Sequence, residues 1–153
     1  MKKIFFGSLV LAFCYVVLSA GNANAQVTVI VTPEGQIVSL YGTNNSPILY
    51  QSGSISTSFR RLENMDLHYL PDTQEPDKIG NIVIGYESSS SLKGKVKRLG
   101  NLVFSYSTVG ADSGKIRYIS GRRITYDPNG RLTISTRFLE QGGSVELIIA
   151  PRL

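Results

Sequence analysis

The chain has 153 residues, 42% of them hydrophobic, with 16 basic and 11 acidic side chains and a formal net charge of +5. One cysteine, one histidine and no tryptophan exclude a disulfide framework, a cysteine-ligated metal centre and a zinc site built from several imidazoles. The charge imbalance is mild and points to no nucleic-acid partner.

Lys2 and Lys3 open the chain, an almost wholly apolar run follows from Ile4 to Leu18, and Ala23-Asn24-Ala25 supplies a small-x-small cleavage pattern. This is the arrangement of a secretory signal peptide over residues 1–25, with Gln26 the expected mature N-terminus. The apolar run is short for a membrane span of about twenty residues, so no stable membrane insertion of the mature chain is expected. Cys14 follows Leu11-Ala12-Phe13, which begins like a lipobox. Phe13 stands where a small residue is needed, so a soluble product is expected instead of a lipoprotein. Cleavage removes two lysines and no acid, leaving 14 basic and 11 acidic side chains, a net charge of +3. The mature chain, residues 26–153, is read as a single β-repeat domain, periplasmic or secreted, of a size that buries a core without disulfides.

Its first element is a strand, turn and strand around Thr32-Pro33-Glu34-Gly35-Gln36-Ile37-Val38-Ser39, where proline presets the first central φ and glycine permits a left-handed exit. A repeat then takes over. Ile79-Gly80-Asn81-Ile82-Val83-Ile84-Gly85-Tyr86, Leu99-Gly100-Asn101-Leu102-Val103-Phe104-Ser105-Tyr106 and Ile119-Ser120-Gly121-Arg122-Arg123-Ile124-Thr125-Tyr126 align at a spacing of twenty, with a weaker copy at Leu62 to Tyr69. A fixed period of this kind signals stacked units. Within each unit apolar residues alternate, as Ile82, Ile84 and Tyr86 do, which is the period of a strand with one buried face. Gly94 to Arg98 and Gly114 to Tyr118 precede the last two copies in the same register, so each unit is read as two strands with Gly100-Asn101 or Ser120-Gly121 as the hairpin turn. Pro71 to Asp77 and Glu87 to Lys93 are polar, non-alternating stretches and read as exposed loops. Asp127-Pro128-Asn129-Gly130-Arg131-Leu132-Thr133-Ile134 repeats the opening turn, and the only helix candidate, Thr136 to Gln141, is too short to stand alone. The expected fold is all-β: an antiparallel meander of about ten or eleven short strands, curled or closed into a partial barrel. An outer-membrane barrel is the alternative, disfavoured by short strands and by an Ala150-Pro151-Arg152-Leu153 end without an aromatic girdle.

Tyr126-Asp127-Pro128-Asn129-Gly130-Arg131-Leu132-Thr133 resembles the YD repeat, the β-hairpin unit of Rhs-type bacterial secreted proteins and teneurins, whose core is Tyr-Asp, two residues, Gly-Arg-Leu. The earlier copies keep the tyrosine and replace the aspartate by Ser107 and Glu87, so the likeness extends loosely over residues 79–135. It implies a related hairpin architecture and assigns no residue an activity. Large YD-repeat proteins enclose a cargo in a β-shell, which a chain this short does not do.

Chemistry is sparse. His68 is the only base available to a nucleophilic triad, and alternation places it on the polar face with Asp66, as an ordinary strand histidine. Asp72, Glu75 and Asp77 share one stretch without the regular spacing of a calcium loop. Tyr86, Tyr106 and Tyr126, with Tyr69, form a ladder that either packs its rings on the core with the hydroxyls in water or offers an aromatic binding face. Lys95, Lys97, Arg98, Lys115, Arg117, Arg122 and Arg123 concentrate positive charge on neighbouring strands, with Arg60 and Arg61 elsewhere. If Lys95, Lys97, Lys115 and Arg117 alternate, they emerge on one face as a patch for an anionic envelope polymer such as lipopolysaccharide or teichoic acid. The expected function is a non-enzymatic binding or structural module of the bacterial envelope, without cofactor or metal, whose partner is an anionic polymer or an envelope protein. The alternative is a hydrolase of an envelope polymer acting through carboxylates such as Glu63, Asp66 or Asp72.

Overall fold

The computed structural model describes residues 27–42, 47–49, 61–62, 65–73, 75–133, 137–140 and 145–150. The signal sequence with Cys14 and the cleavage site, Arg60 and Glu63 lie outside the described residues. The described chain is all-β, and its strands form two sheets. In the first, β1 (Val27–Val31), β2 (Ile37–Gly42), β3 (Pro47–Leu49), β12 (Arg137–Leu139) and β13 (Val145–Ile149) lie in the order β12-β13-β1-β2-β3. The second is an uninterrupted antiparallel meander of β4 (Arg61–Leu62), β5 (Met65–Tyr69), β6 (Pro76–Ile79), β7 (Ile82–Tyr86), β8 (Val96–Leu99), β9 (Leu102–Tyr106), β10 (Ile116–Ile119) and β11 (Arg122–Arg123).

The repeat thus forms a curled meander, with β4 and β11 at its two ends. The first sheet departs from the expected single meander, because β1 and β13 pair in parallel, Val27 opposite Val145 through Val31 opposite Ile149. Both strands are rich in valine and isoleucine and buried at every residue, Thr28 and Glu146 included, as strands covered on both faces are. Val27, Val29, Val31, Val145, Leu147 and Ile149 enter the same core as Ile79, Leu99, Ile116 and Ile119 of the meander. Ile30, Tyr41 and Ile148 cluster on the opposite face. Beside them Glu146 is buried, ion-paired to Arg137 Nε at 2.7 Å and accepting from the Thr28 hydroxyl at 3.3 Å. Residues 137–139, inside the short helix candidate, are strand β12.

Each repeat contains the same irregularity. Tyr86 pairs with Val96 and Gly85 with Arg98, which leaves Lys97 as an extra residue. Asp77 and Arg117 are extra in the same way in β6 and β10. A bulge of this kind sets two consecutive residues opposite one partner and turns both to the same side. Hence Val96 and Leu99 are both buried while Lys97 and Arg98 are both exposed, and Ile116 and Ile119 bracket their pair likewise. The turns differ in detail: positive φ falls on Gly80 and Gly100 alone, but on both Ser120 and Gly121, the type II′ and type I′ solutions of a two-residue hairpin.

The β1–β2 turn locks the two sheets together. Its tip lies across the starts of β8 and β10, where Gly35 O accepts Val96 N–H and Pro33 O accepts Ile116 N–H, both at 2.8 Å. At the equivalent position of the preceding unit stands Pro76, which has no N–H to satisfy. The same three residues receive the tyrosine ladder: the hydroxyls of Tyr86, Tyr106 and Tyr126 donate to the carbonyls of Pro76, Val96 and Ile116.

Candidate functional site

The expected patch of Lys95, Lys97, Lys115 and Arg117 is divided by the fold. Lys95 and Lys115 close two equivalent loops, 87–95 and 107–115, in which Glu87 N–H bonds Lys95 O and Ser107 N–H bonds Lys115 O. Their ammonium groups turn toward the ladder. Lys95 Nζ donates to Gly114 O at 2.6 Å and Glu34 O at 3.1 Å and lies 5.4 Å from the Tyr106 ring centre. Burial lowers its pKa from the usual lysine value, opposed by the charge of Glu34. Lys115 is buried, paired with Asp112 at 2.7 Å and set 4.8 Å from the Tyr126 ring centre. The ammonium groups of these two lysines are engaged within the protein, on loop carbonyls, Asp112 and the ladder rings. The strict alternation assumed for Lys95 and Lys97 fails at the bulge.

The tyrosine ladder belongs to the core. Tyr106 is 8% exposed, Tyr86 and Tyr126 are half-buried against the same cluster, and all three hydroxyls are bonded to backbone carbonyls instead of to water. Burial raises the Tyr106 and Tyr126 hydroxyl pKa values well above the ordinary range, reinforced for Tyr106 by Glu87 and Tyr126 and for Tyr126 by Glu34 and Asp112. The ladder thus packs its rings on the core and spends its hydroxyls on backbone carbonyls.

What the fold does assemble is the outer face of the meander. The bulges bring out Lys78 on β6, Lys97-Arg98 on β8 and Arg117-Tyr118 on β10, while Asp77, the extra residue of β6, stays half-buried with its Oδ1 out of solvent. Lys78, Lys97, Arg98 and Arg117 are exposed. Lys97 has a loose contact with Glu87 at 3.9 Å, of the exposed kind that holds little energy. Arg98 is steadied through Nε by Gly100 O at 2.6 Å, one of its five donors. Arg117 lies 5.4 Å from the Tyr118 ring centre. Between the charged strands, β7 and β9 show Val83 (47% exposed) and Val103 (54%), together with Gly85 and Ser105 opposite Arg98 and Tyr118. Arg122 and Arg123 are exposed on β11, with Arg122 5.1 Å from the Phe138 ring centre.

A shallow groove of about 760 Å³ crosses the turn-side end of this face, lined among others by Asp66, His68, Lys78, Arg98, Asn101 and Glu140. Sequence reasoning did not find Lys78 or Glu140. Lys78 was detectable as the middle of the apolar-x-x-apolar step that precedes every turn, Pro76 to Ile79, Val96 to Leu99 and Ile116 to Ile119. Glu140 gave no local signal. It is buried, and its Oε1 accepts Asn101 N–H at 2.5 Å, capping the β8–β9 turn. His68 sits exposed on β5, opposite Lys78. Asp66 lines the groove, whereas Asp72 lies in the exposed turn 71–73 and does not. Of the loop acids, Glu75 accepts the Thr73 hydroxyl at 3.1 Å and Asp77 stands at the β6 bulge. Among the described residues no three metal-binding side chains converge, and no helix is long and apolar enough to cross a membrane.

No family model, no curated protein and no solved structure matches the chain.

Proposed function

We propose that the chain is exported, cleaved after Ala25, and acts without catalysis as a β-repeat module that binds an anionic polymer of the bacterial envelope through the outer face of its meander. The observation that carries this is the recurrent bulge, which turns Lys78, Lys97, Arg98 and Arg117 to one side in three successive units. A bulge used only to curl the sheet has no need of cations at its exposed positions; long basic side chains also guard sheet edges, but β6, β8 and β10 are interior strands. The hydrolase reading has less support, since Asp72 lies away from the groove that Asp66 lines, and Glu140, the groove's other carboxylate, is engaged in capping a turn. We further propose that the hairpins are of the YD kind. In support, Asp127 Oδ1 accepts the N–H groups of Asn129 at 2.9 Å and Arg131 at 2.8 Å, so that the aspartate organises the turn that follows the ladder tyrosine.

Lipopolysaccharide and teichoic acid, immobilised separately, are the probes. The mature protein is expected to bind at least one at low salt and to release it as ionic strength passes the point where screening falls to about 8 Å. Replacing Lys78, Lys97, Arg98 and Arg117 together by glutamine is expected to weaken binding by about tenfold or more, whereas Lys93→Gln, on an exposed loop, changes it far less. Binding untouched by the fourfold variant would refute the assignment of the face.

A further inference from the structure

The last repeat departs from the copy before it at positions that surround one cleft. At the spacing of twenty, Asp112 stands where the preceding unit has Leu92, Val109 where it has Ser89, and Arg123 where it has Val103. Leu92 packs against the core. Asp112 instead accepts from the Lys115 ammonium through Oδ1 at 2.7 Å and keeps 42% of its side chain exposed, so the apolar plug of the earlier loop is missing from this one. A cleft of about 280 Å³ lies between the loop and β11, lined among others by Val109, Asp112, Arg117, Arg123, Thr125 and Tyr126. Arg117 and Arg123 are exposed, and among the described residues neither has an acidic partner. Their guanidinium forks match a carboxylate. Asp112 retains a second carboxylate oxygen as an acceptor, and Val109, 73% exposed, adds apolar surface.

We infer that this cleft binds one acidic sugar, a pyranose carrying a carboxylate, as the terminal residue of a glycan. The inference rests on the anionic-polymer reading above for the source of the sugar, and on the cleft itself for its chemistry. A bare anion without protons, such as sulfate, meets the two arginines but is repelled by Asp112. A neutral sugar leaves both guanidinium groups unanswered. A sugar acid satisfies the whole lining: its carboxylate takes the arginines, its ring hydroxyls donate to Asp112, and an apolar ring face covers Val109. The volume lies at the lower limit of small-ligand sites and suits one ring. Arg117 belongs both to the cleft and to the outer face of the meander, so a chain whose end is seated here continues onto the basic strands β10 and β8.

The test is titration of the mature protein with methyl glucuronide, methyl glucoside and sulfate, followed by amide NMR at physiological ionic strength. Methyl glucuronide is expected to bind about tenfold tighter than either of the others, with saturable shifts confined to residues 107–113 and 123–126. Arg123→Val, which restores the residue of the preceding copy, is expected to weaken it about tenfold. Asp112→Asn is expected to weaken the glucuronide and strengthen sulfate, a reversal that lost packing alone does not produce. Lys93→Gln, on the preceding loop, is expected to change neither. A trisaccharide ending in glucuronate is expected to bind more tightly than the methyl glycoside; equal affinity would overturn the chain-end assignment in favour of a free sugar acid. Equal binding of glucoside or sulfate, or indifference to Arg123→Val, would overturn the cleft. If lipopolysaccharide or teichoic acid binds at low salt and the glucuronide does not, the cleft falls and the anion-binding face stands. If the glucuronide binds and neither polymer does, the polymer reading falls and the cleft stands.

Discussion

Tyr106→Ala is expected to destabilise the folded chain by about 3–5 kcal/mol, the range for removing a large buried aromatic ring from a packed core. Tyr106 is the central rung of the ladder: its ring packs in the core, its hydroxyl holds Val96 O, the Lys95 ammonium lies over it and the β1–β2 turn rests against it. Tyr106→Phe keeps the ring and removes only the donor, so a loss of about 1–3 kcal/mol is expected. Urea unfolding of the mature protein measures both. The ladder also sets an alkaline limit. The hydroxyls of Tyr106 and Tyr126 have pKa values raised by burial, so their protonated form is favoured by folding. That stability is complete below the unfolded tyrosine value of about 10 and is lost as pH rises toward the folded values. The variant carrying Tyr106→Phe and Tyr126→Phe should be less stable at neutral pH yet lose less stability between neutral pH and pH 11. A steeper alkaline loss in the double variant would contradict the ladder's burial.

Gly35→Ala is expected to cost roughly 2–5 kcal/mol, from two sources that add. The residue has φ +81°, a left-handed conformation that costs an ordinary residue about 1–2 kcal/mol. A Cβ there would also run into the Tyr106 hydroxyl and ring, and overpacking of this kind adds about 1–3 kcal/mol. Gly110→Ala separates the two contributions. It has φ +75° with nothing within 4 Å of the added carbon, so only the conformational cost is expected. Equal destabilisation by the two substitutions would show that the turn does not press on the ladder. A larger loss for Gly35→Ala, accompanied by exchange of the Val96 and Ile116 amides that its turn protects, would show that this contact joins the two sheets.

The spacing of twenty, the hairpin turns at Gly100-Asn101 and Ser120-Gly121 and the all-β class were readable because they depend on local residue types: turn formers, β-branched runs and period-two alternation. The bulge has no such local signature, and the assignment of faces turns on it. Alternation carried through Lys95, Val96 and Lys97 puts both lysines on one face, whereas one inserted residue turns Lys97 outward beside Arg98 and leaves Lys95 to the loop. Val96 and Leu99 stand three apart and are both buried, an arrangement an even strand period does not allow. The parallel pairing of Val27–Val31 with Val145–Ile149 joins residues more than a hundred positions apart, and no turn or alternating pattern announces such a partner. Glu140 reached the groove by the same route, carried by β12 into the first sheet and onto a turn of the second.

The central claim, that the bulges divide the lysines into an inward structural pair and an outward binding set, is tested most directly by lysine acylation footprinting read by mass spectrometry, with and without bound anionic polymer. Lys78 and Lys97 should react readily in the free protein and become protected when polymer is bound. Lys95 and Lys115, held by backbone carbonyls and Asp112, should react slowly in both states, and Lys93 should react equally in both. Rapid, polymer-sensitive labelling of Lys95 and Lys115 with Lys78 and Lys97 unchanged would contradict the account.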